Sequence, residues 1–271
     1  MRMSETHTGV IDHIPEITHD KEILLDGQVA IITGASRGIG RAIALKLGVH
    51  GAAVVINSTE NSKEEAEKTV ADLEGFGADC VWIPGDISNS NTAQSIVERT
   101  IQDFGRIDIL VNNAGVRKDG IFMRMTDEQW DRVIKVNLYG AFYMTRAVIE
   151  QMARKQHSGI IVNISSDSAH LGTPGQVNYA AAKAALEGFG RSLANEYATR
   201  NIRVNNLSLG LVDTEFTANL SEAQRSAILS LTPNGKPITP EEVADTVLFL
   251  ATWGSGITGQ TIPVNNGLRK T

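Results

Sequence analysis

What most limits the folds open to this chain is a repeated alternation. Six apolar runs of strand length occur: "QVAIIT" (28–33), "AAVVIN" (52–57), "DCVWIP" (79–84), "IDILVN" (107–112), "GIIVNIS" (159–165) and "NIRVNNLSL" (201–209). Apolar runs with few polar alternates suit strands buried on both faces, as in a parallel sheet covered by helices. Between them lie segments of helical period: "GRAIALKLGVHG", "SKEEAEKTVADLEGFG" and "TAQSIVERTIQDFG". Each ends at glycine, a common helix stop. Strand and helix in alternation build βαβ units and a doubly wound sheet. The run "QTIPV" (260–264) adds a seventh strand. The expected architecture is α/β: a single doubly wound domain over 27–271 with a seven-stranded parallel sheet flanked by helices, preceded by an extension of 1–26.

Composition narrows the function classes. A chain of 271 residues, 42% hydrophobic and 21% charged, can bury a full core. Its net charge of -6 argues against a general nucleic-acid binder. A single cysteine, Cys80, leaves no internal disulfide and suits a reducing compartment, so a cytoplasmic location is expected. No apolar run reaches membrane-spanning length, and the first residues lack the basic start and apolar run of a secretory signal. Residues 1–26 carry Arg2 and Lys21 against six acidic residues, so most of the net charge lies there. His7, His13 and His19 lie there too, but a spacing of six fits no common ligand pattern, and no metal is expected. The extension is expected to be mobile or loosely docked.

The stretch "TGASRGIG" runs from Thr33 to Gly40, between the first strand and the first helix. Gly34, Gly38 and Gly40 allow a tight turn and a close approach of backbone to phosphate. The helix start adds free N–H groups and the positive end of the dipole. Gly34, Ser36, Arg37, Gly38, Ile39 and Gly40 therefore form the expected cradle for a dinucleotide. In an NAD enzyme an acidic residue closes the second strand and holds the ribose hydroxyls. Here Ser58 and Thr59 follow "AAVVIN", and Glu60 lies beyond. Arg37 offers a guanidinium for a 2′-phosphate, so NADP(H) is expected over NAD(H). The competing reading is that Arg37 is a solvated surface charge.

In "YAAAK", Tyr179 and Lys183 stand at i and i+4, on one face of a helix. An unperturbed tyrosine titrates near about 10. A nearby ammonium favours the phenolate, so Lys183 is expected to lower the pKa of Tyr179 into a range useful for proton transfer. Taken alone, the spacing also suits an ordinary amphipathic helix.

"TGASRGIG", "NNAG" (112–115), "YAAAK" and an upstream serine together resemble the short-chain dehydrogenase/reductase family, over residues 27–268. Within it, "NNAGVRKDGIFMRMTDEQWDRVIKVNLYGAF", "GQVNYAAAKAALEGF" and "PEEVADTVLFLA" are similar to the bacterial β-ketoacyl-acyl-carrier-protein reductases. The resemblance implies a catalytic set of Asn137, Ser166, Tyr179 and Lys183, with Asn137 holding a water in a proton relay. Asn137 is expected in mid-helix, an unfavourable place for an amide. Ser165 and Ser168 compete with Ser166, and the resemblance selects Ser166, whose spacing to Tyr179 matches that of the family. The resemblance also implies that Asp86, with Ile87, contacts the adenine and that Asn113, Ala114 and Gly115 close over the adenosine side. Thr214 would bind the carboxamide, and Tyr179 and Lys183 would meet the nicotinamide ribose. A mobile substrate lid is expected over 211–238.

Two departures stand out: Leu209-Gly210 where relatives usually read Pro-Gly, and Asn265-Asn266 where they often read Asp-Gly. The loss of proline is expected to free the backbone before the lid. The implied reaction is NADPH-dependent reduction of a 3-oxoacyl thioester, with an acidic acyl carrier protein as the implied partner. Arg154, Lys155, His157 and Arg200 are the candidate carrier contacts, expected beside the active-site mouth. A homotetramer is implied, paired through helices near 127–155 and 176–198 and through the last strand. Two other readings stay open: a reductase of a free small alcohol, ketone, sugar or steroid, and a non-catalytic nucleotide-binding regulator on the same fold.

Overall fold

The computed structural model describes residues 23–218 and 220–268. The expected extension, with His7, His13 and His19, therefore lies outside the described residues except for its last four. Those four include Leu25, which is fully buried, and the amides of Leu24 and Leu25 both donate to the carbonyl of His50. The packed domain thus begins a few residues before the glycine at 27.

The elements follow the expected alternation. They are β1 (Val29–Thr33), α1 (Gly38–Val49), β2 (Ala53–Ser58), α2 (Lys63–Gly75), β3 (Cys80–Pro84), α3 (Ser90–Phe104) and β4 (Ile109–Asn112). Then come α4 (Asp127–Ile134), α5 (Gly140–Glu150), β5 (Gly159–Ser166), the single turn α6 (Ser168–Leu171) and α7 (Val177–Tyr197). The chain closes with β6 (Ile202–Leu209), α8 (Glu222–Ser230), α9 (Pro240–Thr252) and β7 (Thr261–Val264). The strands form one parallel seven-stranded sheet in the order β3-β2-β1-β4-β5-β6-β7.

The apolar runs are explained by the two helical layers. Alternate residues of β1 face opposite ways. Ala30 and Ile32 join the cluster with α1, α2 and α9, whereas Val29 and Ile31 join the cluster with α3, α5 and α7. Burying each such Ile or Val contributes about 1.5–3 kcal/mol. The expectation of burial on both faces fails at the two edges. β3 and β7 are half-buried, because an edge strand has a neighbour on one side only and less helix above it.

Strand order reverses between β1 and β4, and a crevice opens there at the carboxyl ends of the strands. Both α4 and α9 start from capping boxes, Thr126 with Gln129 and Thr239 with Glu242. The helix α1 starts differently: Arg37 at its cap provides no side-chain acceptor, so the first N–H groups face the crevice uncapped.

Candidate active site

A cleft of about 920 Å³ runs along the carboxyl ends of the strands, and all the expected catalytic residues except Asn137 line it. Its floor at one end is the glycine turn. Gly34 and Gly38 have φ of +64° and +56°, which favour glycine. A Cβ on Gly34 would lie 2.8 Å from the Cα of Ala114, so the turn and the "NNAG" stretch touch backbone to backbone. Asn113 locks that contact, its Nδ2 donating to the carbonyls of Thr33 (2.8 Å) and Gly34 (3.0 Å). Thr33 Oγ1 accepts from the amides of Asn113 and Ala114, both at 3.0 Å. Asn113 is thus a brace for the turn, and Gly115 beside it stays open to the cleft.

The adenosine end is built from β2 and β3. Ser58 is buried and accepts from the indole of Trp82 at 3.1 Å, while Thr59 is exposed and starts the turn into α2. Ser36 is buried, its carbonyl accepting from Thr69, and Ile39 packs partly into the core. Arg37 is half-exposed and lies between Glu65 at 3.6 Å and Glu215 at 3.4 Å. Asp86 accepts from the amide of Ser88 (2.9 Å) and from Arg132 (2.8 Å). Burial pushes this carboxyl up, but the bonds from Ser88 and Arg132 outweigh it and hold it below its ordinary value. Arg132, on α4, carried no signal in the sequence. Ile87 is buried against Gly140.

At the other end stand Ser166, Tyr179 and Lys183. Ser166 is the last residue of β5, and its Oγ accepts from the amide of Ser168. Ser165 points the other way, donating to the buried Glu187 at 2.8 Å, so strand alternation separates the two serines. Ser168 is tied to Gln176 at 2.9 Å. Tyr179 and Lys183 share the inner face of α7, with Nζ 5.6 Å from the tyrosine ring centroid and 2.7 Å from the carbonyl of Ile164.

The tyrosine is not brought down as expected. Burial pushes Tyr179 up to about 12, and the charge of Arg117 and a hydrogen bond with Ser166 offset this only in part. The same burial brings Lys183 down to about 8. Desolvation dominates because both groups sit in the protein interior.

Asn137 lies where α4 passes into α5. Over Lys135–Tyr139 the helix widens to i→i+5 bonding, the kind of bulge that frees backbone groups. Its Nδ2 donates to the carbonyls of Val116 and Val133, both at 2.9 Å. Its Oδ1 is buried with no hydrogen-bond partner among the described residues. A Cβ on Gly115 would meet that Oδ1 at 2.6 Å and Lys183 Nζ at 3.7 Å. Glycine at 115 therefore keeps open the space between amide and ammonium.

The departures at the end of the sheet have a structural account. Leu209 does not loosen the chain. It pairs with Ser166 and Val264, its carbonyl accepts from Asp167 N at 2.8 Å, and Gly210 N donates to Val264. Asp167 is buried, and its carboxylate accepts from Ser208 (2.7 Å) and Asn265 (2.8 Å). The ends of β5, β6 and β7 are thereby tied through one side chain. Asn266 has φ of +51°, a left-handed conformation that asparagine tolerates better than most residues other than glycine. Thr214 lies against Gly38, across the cleft mouth.

The basic residues do not sit where the carrier reading expects them. His157 precedes β5 and Arg200 precedes β6, at the amino ends of the strands, and Asn201 Nδ2 joins them through the carbonyl of His157. Arg154 pairs with Glu150. From Tyr179 to Arg200 the chain follows α7 almost throughout, a rise of about 30 Å at helical pitch. Within one chain this patch and the cleft are at opposite ends of the sheet.

The cleft fits a dinucleotide on its own features: an uncapped helix start, a backbone-to-backbone turn, and a gap at Gly115 bordered by an unpartnered acceptor. The family model described as Enoyl-(Acyl carrier protein) reductase matches residues 34–269. The 3-oxoacyl-[acyl-carrier-protein] reductase FabG of Thermotoga maritima is 42% identical over 245 residues, covering 90% of this chain and 98% of the relative. Nodulation protein G of Rhizobium sp. is also 42% identical, with the same coverage. The crystal structure of gox2181 superposes with a TM-score of 0.87 at 34% identity, over 92% of this chain and 98% of that one. With the glycine turn and the Tyr179–Lys183 pair lining one cleft and with these matches over nearly its whole length, the chain belongs to the short-chain dehydrogenase/reductase family and is an oxidoreductase.

Proposed function

We propose that the protein reduces a 3-oxoacyl thioester to the 3-hydroxyacyl thioester with NADPH. The observation that carries the reaction class is the convergence of Ser166, Tyr179 and Lys183 at the strand ends, beside the dinucleotide turn. The relatives named as 3-oxoacyl-carrier reductases supply the substrate class. When bound, NADPH supplies hydride to the carbonyl carbon.

The chain's own residues do the rest. Tyr179, raised to about 12, holds its proton at neutral pH and donates it to the carbonyl oxygen as charge develops there. Ser166 donates a hydrogen bond to the same oxygen. Lys183, brought down to about 8, exchanges protons readily near neutral pH and restores the tyrosine. Asn137 Oδ1, facing the gap at Gly115, holds the water that links Lys183 to solvent. Gly34, Ser36, Gly38, Ile39 and Gly40 cradle the pyrophosphate. Asp86, Ile87, Asn113, Ala114 and Gly115 border the adenosine, and Thr214 takes the carboxamide. Arg37, with Ser58 and Thr59, favours a 2′-phosphate, which replaces the exposed carboxylates of Glu65 and Glu215 as its partner.

The basic group at 154, 155, 157 and 200 serves this reading only across two copies. Exposed aromatics, Tyr139 and Phe142 on the α4–α5 helix and Phe249 and Trp253 at α9, mark faces suited to a homotetramer. Two copies of α7 paired antiparallel about a two-fold axis bring the patch of one beside the cleft of the other.

A second reading, reduction of a free ketone or alcohol oxidation, is favoured by the distance between patch and cleft in one chain. The test follows NADPH consumption with acetoacetyl-CoA, an NADH control and Tyr179→Phe. Turnover with NADPH alone, lost by about a thousandfold or more in the variant while NADPH still binds, is expected. Undiminished turnover in the variant defeats the tyrosine assignment. No turnover with cofactor bound moves the substrate to the free ketones.

A further inference from the structure

Arg117 has no part in the reaction described above, yet it occupies the wall of the cleft. Its side chain is only 17% exposed, and its guanidinium sits 4.6 Å above the ring centroid of Phe216. Its Nη2 donates to the carbonyl of the same Phe216 at 2.6 Å. Phe216 in turn lies 6.3 Å, centroid to centroid, from Tyr179. Ring and carbonyl are thus gripped by one planar cation, a combination that suits arginine and not lysine. Behind it, Asp119 lies 3.9 Å from Arg117 and accepts from Gln176 at 3.0 Å, which anchors the arginine to the start of α7.

The segment held this way is irregular, and Arg117 grips the residue in it that lies nearest Tyr179. Residues 213–217 belong to no helix or strand, and Glu215 beside Phe216 is exposed. Thr217, bonded to Val212 and Thr214, closes it locally, Asp213 ties its start to Ile238 and Arg225, and Glu215 pairs with Arg37. Residues 117 and 216 are 99 apart in sequence, so their meeting is a tertiary event.

We propose that Arg117 is a positioning residue, which clamps Phe216 over Tyr179 and so fixes the wall against which the reacting carbonyl lies. This rests on the reading of Tyr179 as the proton donor. Arg117 also places a cation near the phenol, where it opposes the effect of burial; Asp119 acts the other way, and Lys183 is the remaining charge beside the ring.

The test uses the full chain and two readouts. Amide hydrogen exchange over 211–220, without substrate, should be about tenfold or more faster in Arg117→Ala and Arg117→Lys, with α7 unchanged. In the oxidation direction, the alkaline rise of kcat/KM should move to higher pH in Arg117→Ala, which loses the cation, and stay in place in Arg117→Lys, which keeps it. Phe216→Leu should speed exchange without moving the pH profile. Unchanged exchange in Arg117→Ala, or an equal acceleration along the whole chain, overturns the clamp. A pH profile that moves equally in the Ala and Lys variants overturns the role of the charge. The exchange readout needs no turnover, so a failed thioester assay leaves it intact. The pH readout uses whichever alcohol the enzyme oxidises.

Discussion

Lys183 is buried with its ammonium on the carbonyl of Ile164, and burial brings it down to about 8. The unfolded chain holds that proton more tightly, up to the ordinary 10.5. Below about 8 the lysine is charged in both states and the cost of burying it is fully present. As pH rises from about 8 towards 10.5 the folded state sheds the proton first, and the cost is relieved. Wild type should therefore gain stability relative to Lys183→Met across that window, read by denaturant unfolding at a series of pH values. Tyr179, raised to about 12, works in the opposite sense higher up. Its neutral form is favoured by the fold, and that contribution is lost as pH climbs from about 10 through 12. The two contributions change with pH in opposite senses because desolvation lowers the pKa of a base and raises that of an acid.

The element that positions both groups is α7, and it is set by how closely it approaches the sheet. Gly190 meets Asn163 and Asn206, the members of a buried amide row in which Asn112 donates to Asn163 (2.9 Å) and Asn163 to Asn206 (3.0 Å). A methyl at 190 collides with the Asn206 amide, so Gly190→Ala should push the helix from β5 and β6. A destabilisation of about 1–3 kcal/mol is expected from such overpacking. Because Tyr179 and Lys183 ride on the same helix, kcat should fall as well, while Gly188→Ala, whose Cβ meets only the end of Arg191, should leave both readouts close to wild type. Thermal unfolding and kcat, measured on the two variants together, check the assignment.

Across the whole molecule, the separation of about 30 Å between the basic group and the cleft makes the carrier reading depend on assembly. Arg200→Glu should raise KM several-fold for a carrier-linked substrate and leave a coenzyme A thioester unaffected. Light scattering at micromolar concentration should give a tetramer. A monomer that still discriminates carrier-linked substrates through Arg200 contradicts the two-copy arrangement.

The periodic runs were enough to specify the seven strands, their parallel pairing and the crevice, because burial on both faces leaves few polar alternates in the central strands, and those few bond to one another. The edge strands β3 and β7 escaped that rule, since edge burial depends on what lies beside them. "TGASRGIG" and "YAAAK" made the dinucleotide turn and the Tyr179–Lys183 pair legible, as local spacing fixes a turn and a helix face. What the sequence by itself determined is thus the set of elements and the residues each carries to the strand ends. Tertiary structure alone decided the rest: the raised tyrosine and lowered lysine, the pairing of Arg132 with Asp86, the tie from Asp167 to Ser208 and Asn265, and Arg117 on Phe216. Each of these depends on desolvation or on contact between residues far apart in the chain, and neither quantity exists until the helices close on the sheet.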